Sequence, residues 1–446
     1  MDTAALRHAV SGAVLAAEDE GWDAARASHA GPGSPDVIVR VSSVDDVSDA
    51  VRFAAAGRHP VIVRGGGHSA WSTLDEGVLL DLSALNGVEI VADPAGGALV
   101  RIGGGARWGD VAHVLTEHGL GISSGDTSSV GVAGLTLGGG IGWMVRAWGL
   151  AADQLVGAQL VTAEGEVIEV SESAHPELFW ALRGGGGNFG VVTRFDFRAH
   201  DLPAVVFATL GVAGDSRHVL QMLRDVLATA PGSLTVTYMD IPAMDPSAPA
   251  GATITACWIG DDEDGLRAAI APLLALDAVT EIDLGIREYP DILLDAPMPD
   301  PEQPMPGFIG GNTLVTHLDD TLIDGLAAFR ESTELSVLFL RSLGGAYGDV
   351  PQESTAFPAR AATWFVMAGA FDIPGLVDDA TRAGFQTAWD GLEAQGIGVY
   401  GNFSTTTDST YAARMYPPET MARLAAVKAQ WDPKNLFARN HNVVPA

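Results

Sequence analysis

Cysteine is almost missing from this chain of 446 residues. The single cysteine, Cys257, lies in the strand-like stretch ITACWIG. One thiol cannot close a disulfide within the chain or supply a cysteine-rich metal cluster. We interpret Cys257 as a small buried hydrophobic residue of a strand.

Basic residues are scarce as well. The chain has 25 Lys and Arg against 56 Asp and Glu, and its formal net charge is −31. Such a chain repels phosphate backbones and anionic lipid surfaces, so nucleic acids and membranes are poor partners. Apolar runs stay shorter than the ~18–20 residues that span a bilayer. A hydrophobic content of 47% still provides for a large core, and the length favours more than one domain.

The common nucleotide-binding fingerprints are absent too. No GxxxxGK[ST] loop occurs, and the G-x-G-x-x-G-like spacings of GLTLGGGIG arise only from the abundance of glycine. They also lack the first strand, and the acidic residue ~20 positions later, of a dinucleotide-binding unit. The histidines show no metal-ligand spacing such as HExxH, so we predict no metal site.

Glycine, by contrast, is abundant. Three clusters fall in the first half of the chain: VIVRGGGHSAW (61–71), GVAGLTLGGGIGW (131–143) and LRGGGGNFGVVTRFDF (182–197). A run of glycine costs conformational entropy and therefore needs a reason. One reason is tight turns between strands; the other is a backbone that presents successive N–H groups to an anion. Three clusters together favour a phosphate-bearing cofactor.

Helix and strand signals alternate through about residue 200. The stretch SSVDDVSDAVRFAAAG predicts a helix with Ser42 or Ser43 as N-cap and its end at Gly57. The stretch LVGAQLVTAEGEVIEV predicts a hairpin with its turn at Glu164–Gly165. This alternation indicates an α/β or α+β protein.

The N-terminal residues have a basic start and a short apolar centre. Leu6, Val10, Val14 and Leu15 have helical spacing, which predicts an amphipathic helix rather than a cleaved signal peptide. We therefore expect a cytoplasmic protein.

The pattern changes after Leu202 and Pro203. Strands such as LTVTYMDI and GATITACWIG alternate with helices such as DGLRAAIAPLLAL, and DAPMPDPEQPMPG (295–307) is predicted as a surface loop. We expect a first domain over 1–203, a second over 204–395 and a separate C-terminal segment over 396–446.

Several of these stretches carry a family resemblance. PVIVRGGGHS, GGGARWGDV, VGVAGLTLGGGIGW, GLAADQL, PELFWALRGGGGNFGVVT and RLAAVKAQWDPKNLF resemble, in order, the FAD-linked oxidases of the vanillyl-alcohol-oxidase superfamily, in particular the berberine-bridge-enzyme-like branch. The resemblance implies an α+β fold. A PCMH-type FAD-binding domain of two subdomains would be completed by the C-terminal segment. The substrate domain would be an antiparallel sheet backed by helices, with the flavin ring between the domains.

The resemblance also implies that His68 bonds covalently to the 8-methyl carbon of the flavin. A neutral imidazole is nucleophilic near pH 7, which suits this chemistry. Gly65, Gly66 and Gly67 would let the backbone approach the pyrophosphate; the plainer alternative is a histidine packed beside a turn. Many relatives form a second flavin bond through a cysteine, but Thr127 stands at that position. We therefore expect a single link.

The family's Y-x-N element matches Tyr400 and Asn402, and Tyr400 is our first candidate for the catalytic base. On a strand, Asn402 would share its face and could donate a hydrogen bond to it. Packing against the ring is an equal alternative, and Tyr238 and Tyr347 are further candidates. The resemblance implies these cofactor-binding residues: Arg64, Gly65, Gly66, Gly67, His68, Ser69, Thr127, Val130, Gly131, Gly134, Gly138, Gly139, Gly142, Val192, Tyr400, Asn402 and Asn440.

The implied function is that of an FAD-dependent oxidase. It would oxidise a small alcohol, hemiacetal or amine by hydride transfer to flavin and reduce O2 to H2O2, with room for oxygen beside Val130. One alternative is a dehydrogenase or oxidative cyclase with another electron acceptor. Others are an NADPH-using reductase and a protein that binds flavin without turnover. The substrate and the oligomeric state do not follow from the sequence.

Overall fold

The computed structural model describes residues 1–73, 75–93, 96–214, 216–242, 251–296, 298–299, 306–404, 406–408 and 410–446. Up to residue 201, short strands and helices alternate. The strands are β1 (Ala13–Leu15), β2 (Val37–Arg40), β3 (Val61–Arg64), β4 (Val78–Asp81), β5 (Val88–Ala92), β6 (Ala98–Gly103), β7 (Leu120–Gly121), β8 (Leu155–Val161), β9 (Val167–Ser171), β10 (Val191–Arg198) and β11 (His200–Asp201). The helices are α1 (Thr3–Ala9), α2 (Trp22–Arg26), α3 (Val44–Gly57), α4 (Trp108–Thr116), α5 (Val132–Leu137), α6 (Val145–Trp148) and α7 (Pro176–Leu182).

These strands form two main sheets. The first has the order β1-β2-β4-β3, with β2, β4 and β3 parallel and β1 antiparallel at its edge. The second has the order β5-β6-β10-β8-β9 and is antiparallel throughout. Strands β7 and β11 form a separate pair. Two sheets in the first part agree with the predicted pair of subdomains.

Local signals in the sequence predicted several elements correctly. Helix α3 begins after Ser43, whose side chain accepts a hydrogen bond from the Asp46 N–H, and ends at Gly57. Strands β8 and β9 form the predicted hairpin, and Gly165 in its turn has φ of +75°. Capping and turn chemistry are local, so they can be read from neighbouring residues.

The N-terminal helix is shorter than predicted. Helix α1 ends at Ala9, and Val14 belongs to β1, which pairs with β2. The Asp46 carboxylate accepts the N–H groups of Ser11 at 2.7 Å and Gly12 at 3.0 Å. This contact, made by a residue of α3, turns the chain into a strand where the apolar spacing alone indicated helix.

Beyond residue 204 one large sheet dominates. Its strands are β12 (Val205–Val212), β13 (Leu234–Asp240), β14 (Ala252–Ile259), β15 (Val279–Arg287), β16 (Gly307–Val315), β17 (Ser336–Ser342) and β18 (Trp364–Asp372). The helices are α8 (Ser216–Thr229), α9 (Glu263–Leu274), α10 (Asp320–Ser332), α11 (Ala346–Asp349), α12 (Asp379–Glu393), α13 (Ala412–Met415) and α14 (Pro418–Trp431).

The seven strands are antiparallel, in the order β15-β12-β14-β13-β17-β18-β16. Helices α8, α9, α10 and α12 cover one face with a continuous apolar core. The opposite face turns Thr237, Phe339, Arg341 and Met367 away from that core, since side chains alternate along a strand. Cys257 on β14 is buried, as expected. The predicted antiparallel sheet backed by helices is confirmed.

The C-terminal segment packs against the first part of the chain. Lys428 on α14 is fully buried, and its ammonium donates to the Asn188 carbonyl at 2.6 Å, the Asp432 carboxylate at 2.7 Å and the Phe437 carbonyl at 3.0 Å. A buried cation with all three donors satisfied fixes the segment that follows α14. The domain boundaries at 203 and 395 stay predictions.

Two further expectations concern the surface. Of the proline-rich stretch 295–307, residues 297 and 300–305 lie outside the described residues, and Met298 is exposed. Within the described part of the chain, no helix has the length and apolar character needed to cross a membrane.

Replacing Lys428 with Met should strongly destabilise the protein. Removing one partner leaves Asp432 as a buried uncompensated charge, which costs about 3–5 kcal/mol. Urea unfolding followed by circular dichroism measures the loss. Lys434, which is exposed, provides the matched control: Lys434→Met should change the free energy of unfolding by less than about 0.5 kcal/mol. Equal effects of the two substitutions would contradict the structural role of Lys428.

Candidate active site

The site begins at the end of β3 with Arg64. Its guanidinium is buried and donates to the Ala25 carbonyl at 2.6 Å and to the Asp81 carboxylate, at the end of β4, at 2.9 Å. Burial raises the pKa of Asp81, but Arg64 and the hydrogen bonds of Ser83 outweigh it, and the pKa lies below its usual value. The ion pair locks two strand ends together, so the following loop starts from a fixed point.

Close contacts within the protein require glycine in that loop. A Cβ on Gly66 would lie 2.2 Å from the Gly131 nitrogen, and a Cβ on Gly131 would lie 2.2 Å from the Gly66 nitrogen. Gly67 has φ of +75°, a conformation that L side chains rarely adopt. The loops 65–67 and 129–131 therefore touch backbone to backbone, which explains these glycines independently of a bound cofactor.

The second glycine cluster also lies against other parts of the chain. A Cβ on Gly142 would lie 1.6 Å from the Ser124 carbonyl oxygen, and one on Gly138 would meet the Asn402 side chain at 2.1 Å. Gly139, with φ of +114°, faces Phe357. Gly134 differs, because no atom of the described residues outside its chain neighbours and its own helix backbone lies within 4 Å of a Cβ built there.

His68 follows the first loop and is held on two sides. Its Nε2 lies 3.1 Å from Ser129 Oγ, and its ring stacks on that of His29 with centroids 3.7 Å apart and an interplanar angle of 16°. Burial, then His29 and Arg107, lower the pKa of His68 to about 4. The imidazole is therefore neutral at pH 7, the form that acts as a nucleophile. The neighbouring Ser69 is exposed, and its Oγ accepts the Trp71 N–H at 3.3 Å.

The loop of Thr127 is bound by a segment from the second half of the chain. The Leu294 N–H donates to the Asp126 carbonyl at 2.7 Å, and the Ser128 N–H donates to the Leu294 carbonyl at 2.9 Å. Thr127 forms an isolated bridge with Leu294. Val130 is fixed as well, since its carbonyl accepts the Trp108 N–H at 3.0 Å. The residue that replaces the cysteine of many relatives thus lies where both halves meet.

Tyr400 is buried, and its hydroxyl oxygen is surrounded by donors. It accepts the N–H groups of Gly140 at 3.2 Å and Ile141 at 3.1 Å, and the Asn402 amide at 2.9 Å. Asn402 lies in the 3-10 helix Gly401–Phe403 rather than on a strand, yet its amide makes the expected contact. Burial is the largest influence and raises the pKa of Tyr400, while the three donors oppose it. The role of Tyr400 as a base stays a prediction.

The two other tyrosine candidates lie in packed surroundings. Tyr238 on β13 points into the core beneath the helices and is fully buried. The Tyr347 hydroxyl donates to the carbonyl of Ala359, at 2.8 Å, and is also fully buried. Burial raises the pKa of both phenols well above the usual value. Both side chains are therefore packed within the protein, and no hydrogen bond of their hydroxyl groups with Tyr400 is present among the described residues.

The last two predicted cofactor residues have different environments. Val192 on β10 is part of the core of the first half. The Asn440 amide donates to the carbonyls of Gly187 at 3.1 Å and Phe437 at 3.0 Å, whereas its Oδ1 is buried without a partner among the described residues. The same holds for His441 Nδ1, Asn442 Oδ1 and Trp71 Nε1.

These four unpartnered atoms show whether the residues present could bind FAD. His441 contacts Trp71, three residues after His68, edge to face at 6.0 Å, and its Nε2 donates to the Gly401 carbonyl at 3.1 Å, so its Nδ1 is an acceptor. Buried polar atoms require partners. The ribityl hydroxyls of FAD can donate to these acceptors, and its oxygens can accept from Trp71. The residues present fit the cofactor.

Sequence reasoning missed one charged cluster of the site. The Arg341 guanidinium donates to Asp126, next to Thr127, at 2.6 Å and to Thr237 Oγ1 at 2.9 Å. It also lies 4.4 Å from the Trp143 ring centroid. His29 and Ser129 were missed too. No local pattern relates these residues to His68 or Thr127, since loops and sheet bring them together only in the fold.

A cavity of about 570 Å³ lies beside β16 at the edge of the large sheet, where residues of the face that the helices leave free meet helix α12. Its apolar wall includes Phe403, whose ring centroid lies 5.7 Å from that of Tyr400. Polar groups from α12 and from the segment after Phe403 complete it. The lining residues are Ile241, Phe308, Gly310, Gly311, Val337, Met367, Phe371, Gln386, Trp389, Asp390, Glu393, Phe403, Ser404, Thr406, Asp408, Thr410, Tyr411 and Arg414.

Two family profiles match the chain at the segments that build this site. The profile of the FAD binding domain matches residues 35–171, and the profile described as berberine and berberine like matches residues 399–444. The (R)-6-hydroxynicotine oxidase of Paenarthrobacter nicotinovorans is 31% identical over 461 residues, which cover 98% of this chain and 97% of the relative. The chain belongs to the berberine-bridge-enzyme-like FAD-linked oxidases.

Solved structures agree with this family. The 6-hydroxy-D-nicotine oxidase of Arthrobacter nicotinovorans has a TM-score of 0.82 and 27% identity, with 98% of each chain covered. The glucooligosaccharide oxidase of Acremonium strictum, whose FAD is described as 6-S-cysteinyl and 8α-N1-histidyl, has a TM-score of 0.83, 24% identity and 99% of each chain covered. At that identity the second likeness shows the fold alone. The predicted fold, the cofactor FAD and the enzymatic nature of the family are confirmed.

Two of the glycines should differ sharply on substitution by alanine. In protein without FAD, Gly66→Ala forces a Cβ into the Gly131 backbone and should destabilise the fold by about 1–3 kcal/mol. Gly134 lies in α5 with open space around it, so Gly134→Ala should leave stability unchanged or raise it by up to about 1 kcal/mol. Thermal unfolding distinguishes the two. Comparable destabilisation by both would contradict the contact between the loops.

Proposed function

We propose that this chain is an FAD-dependent oxidase whose flavin is linked to the protein by a single bond to His68. The observation that carries the proposal is the geometry of His68, a neutral imidazole fixed between Ser129 and His29. Trp71, three residues later, contacts His441 of the segment that the second family profile matches. FAD supplies the redox chemistry, since it takes up two electrons from a substrate and returns them to an acceptor. The protein supplies position and proton handling.

The hydrogen bonds around His68 select one ring nitrogen for the link. Ser129 Oγ donates its proton to the Ala296 carbonyl at 3.2 Å, because a carbonyl can only accept. Ser129 can then only accept from His68, so Nε2 carries the proton and Nδ1 carries the free lone pair. This tautomer is assigned from the hydrogen-bond network. The proposal therefore places the flavin bond at Nδ1.

The link is proposed to be single because Thr127 cannot supply a thiolate. A hydroxyl with its ordinary pKa is far less nucleophilic than a thiolate. The one thiol of the chain, Cys257, is buried in the large sheet, and burial raises its pKa well above the usual value. Neither residue supports a second bond.

The cavity beside Phe403 supports a small substrate with an apolar body. Phe308, Met367 and Phe371 provide one wall, and Asp390 and Arg414 provide polar groups at its border. Within the proposed range of small alcohols, hemiacetals and amines, this wall favours compounds that carry an apolar ring. The relative named for 6-hydroxynicotine is consistent with that choice. The polar side chains from α12 and from the segment after Phe403 provide hydrogen-bond partners for the hydroxyl or amino groups of such a compound.

Oxygen use is tested by following the flavin. Anaerobic mixing with a panel of cyclic amines, ring-bearing alcohols and sugars should bleach the flavin absorbance with a compound that has an apolar ring. Readmitting air should restore the absorbance and release about one H2O2 per flavin, the stoichiometry of two electrons passed to O2. Slow reoxidation in air together with fast reoxidation by a quinone would contradict the oxidase and favour the dehydrogenase alternative.

A substitution at Val130 tests the reaction of the reduced flavin with oxygen. The family resemblance implies that it lies beside the face where oxygen arrives. We therefore expect Val130→Ile to slow reoxidation and to leave the rate of anaerobic bleaching unchanged. Reoxidation at the wild-type rate in Val130→Ile would remove Val130 from the oxygen path.

We also propose Tyr400 as the proton acceptor, because three N–H donors surround its oxygen as a phenolate requires. Tyr400→Phe should slow flavin bleaching by substrate by about 10²-fold or more and retain the bound FAD. Burial raises the pKa of Tyr400 above its usual value, so the phenolate fraction grows throughout the neutral and alkaline range. The wild-type bleaching rate should therefore increase from pH 7 to pH 10 without a plateau.

The control is Tyr347→Phe. It removes a hydroxyl of a residue in the same buried cluster, and bleaching should stay near the wild-type rate. Bleaching by Tyr400→Phe at the wild-type rate would assign Tyr400 to packing alone.

A further inference from the structure

His29 contacts His68 directly, and the proposed function assigns it no role. Its ring is parallel to that of His68 to within 16°, with centroids 3.7 Å apart. The backbone supports the contact, because the His29 N–H donates to the Gly67 carbonyl at 3.0 Å. The preceding Ser28 is buried, and its hydroxyl donates to the Gly31 carbonyl at 2.6 Å. The stack is therefore fixed from both chain segments.

We infer that His29 is a positioning residue that holds the ring of His68 in the orientation from which the flavin becomes attached. The inference rests on the proposed link at His68. An unstacked imidazole can turn about its side-chain bonds; here the flat face is covered by His29 while one edge is tied to Ser129. Only the edge that carries Nδ1 stays available for bond formation.

The charges around the pair support the same role. Burial is the largest influence and lowers the pKa of His68, and the basic groups His29 and Arg107 lower it further, whereas the hydrogen bond to Ser129 opposes them. Burial and Arg107 also lower the pKa of His29. A second imidazole and a guanidinium both disfavour the imidazolium form of His68, which has no lone pair at Nδ1.

The atoms and electrons of the attachment reaction balance as follows. The 8-methyl carbon of FAD gives up one hydrogen, the His68 imidazole gives up its N–H hydrogen, and a carbon–nitrogen bond forms between the carbon and Nδ1. Two electrons and the two protons reduce O2 to H2O2, the same oxidant and product as in the proposed activity. His29 takes no part in bond making, and its contribution is the geometry of the nucleophile.

The test follows attachment itself rather than turnover. Full-length protein is produced under riboflavin limitation and mixed with FAD, and the fraction of flavin that stays with acid-precipitated protein is recorded over time from pH 5 to pH 8. His29→Ala should attach flavin about 10- to 100-fold more slowly, the effect of a misplaced reacting group. His29→Phe keeps a flat ring over His68, so it should return the rate to within a few-fold of wild type. His118→Ala, at an exposed histidine, is the control and should match wild type.

The pH profile adds a second readout. The pKa of His68 is about 4, so wild-type attachment should be independent of pH over this range. Loss of His29 removes part of the burial and one basic neighbour, so the pKa of His68 rises. Attachment by His29→Ala should therefore fall at the acid end of the range.

Three results would overturn the inference. They are attachment by His29→Ala at the wild-type rate, failure of His29→Phe to recover, and weaker noncovalent FAD binding when His29→Ala is added to His68→Ala, which would assign His29 to cofactor binding instead. A wild-type protein that releases all its flavin into acid would overturn the proposed link together with the inference. Covalent wild type with an unaffected His29→Ala removes only the inference.

Discussion

The contact between two loops is the constraint on which the site depends. Gly66 and Gly131 meet backbone to backbone, and beside them His68 is tied to Ser129. Ser129 in turn donates to Ala296, which belongs to the second half of the chain. One chain of contacts thus joins the strand end of the small parallel sheet, the glycine-rich loop before α5 and the segment that follows β15. The orientation of His68 is set by all three.

Buried ion pairs hold the segments around the site in place. Arg64 with Asp81, Arg341 with Asp126 and Lys428 with Asp432 each satisfy a cation inside the fold. Each pair joins segments that are distant in sequence or fixes the end of an element. Buried polar atoms without a hydrogen-bond partner occur in several parts of the described structure, and four of them lie at Trp71 and in the stretch 440–442, where FAD can complete them. The satisfied ion pairs hold the scaffold around that place.

Much of the fold followed from local signals. Helix α3, the hairpin of β8 and β9, and the strands and helices of the large sheet have caps, turns and periodicities that neighbouring residues determine. Helix α1 was predicted too long because Asp46, more than 30 residues away, redirects the chain at Ser11. Apolar spacing carries no information about such a contact.

The residues of the candidate site also fall into those that local sequence predicts and those that only the fold brings together. His68, Thr127 and Tyr400 could be named as candidates because the family resemblance gives roles to particular motif positions. His29, Ser129 and Arg341 could not, since their importance comes from tertiary contacts that no spacing encodes. The sequence explained the glycines only by the approach of a cofactor. The structure adds a second reason, because a side chain on Gly66 would collide with the backbone of Gly131.

The central claim is a single flavin bond at His68, and peptide mapping by mass spectrometry tests it most directly. Tryptic cleavage places His68 in the peptide 65–101, Thr127 in 108–146 and Cys257 in 225–267. We expect the flavin mass on the peptide 65–101 alone, with fragment ions that locate it at His68. Flavin on the peptide of Thr127 or Cys257, or on none of the three, would contradict the account.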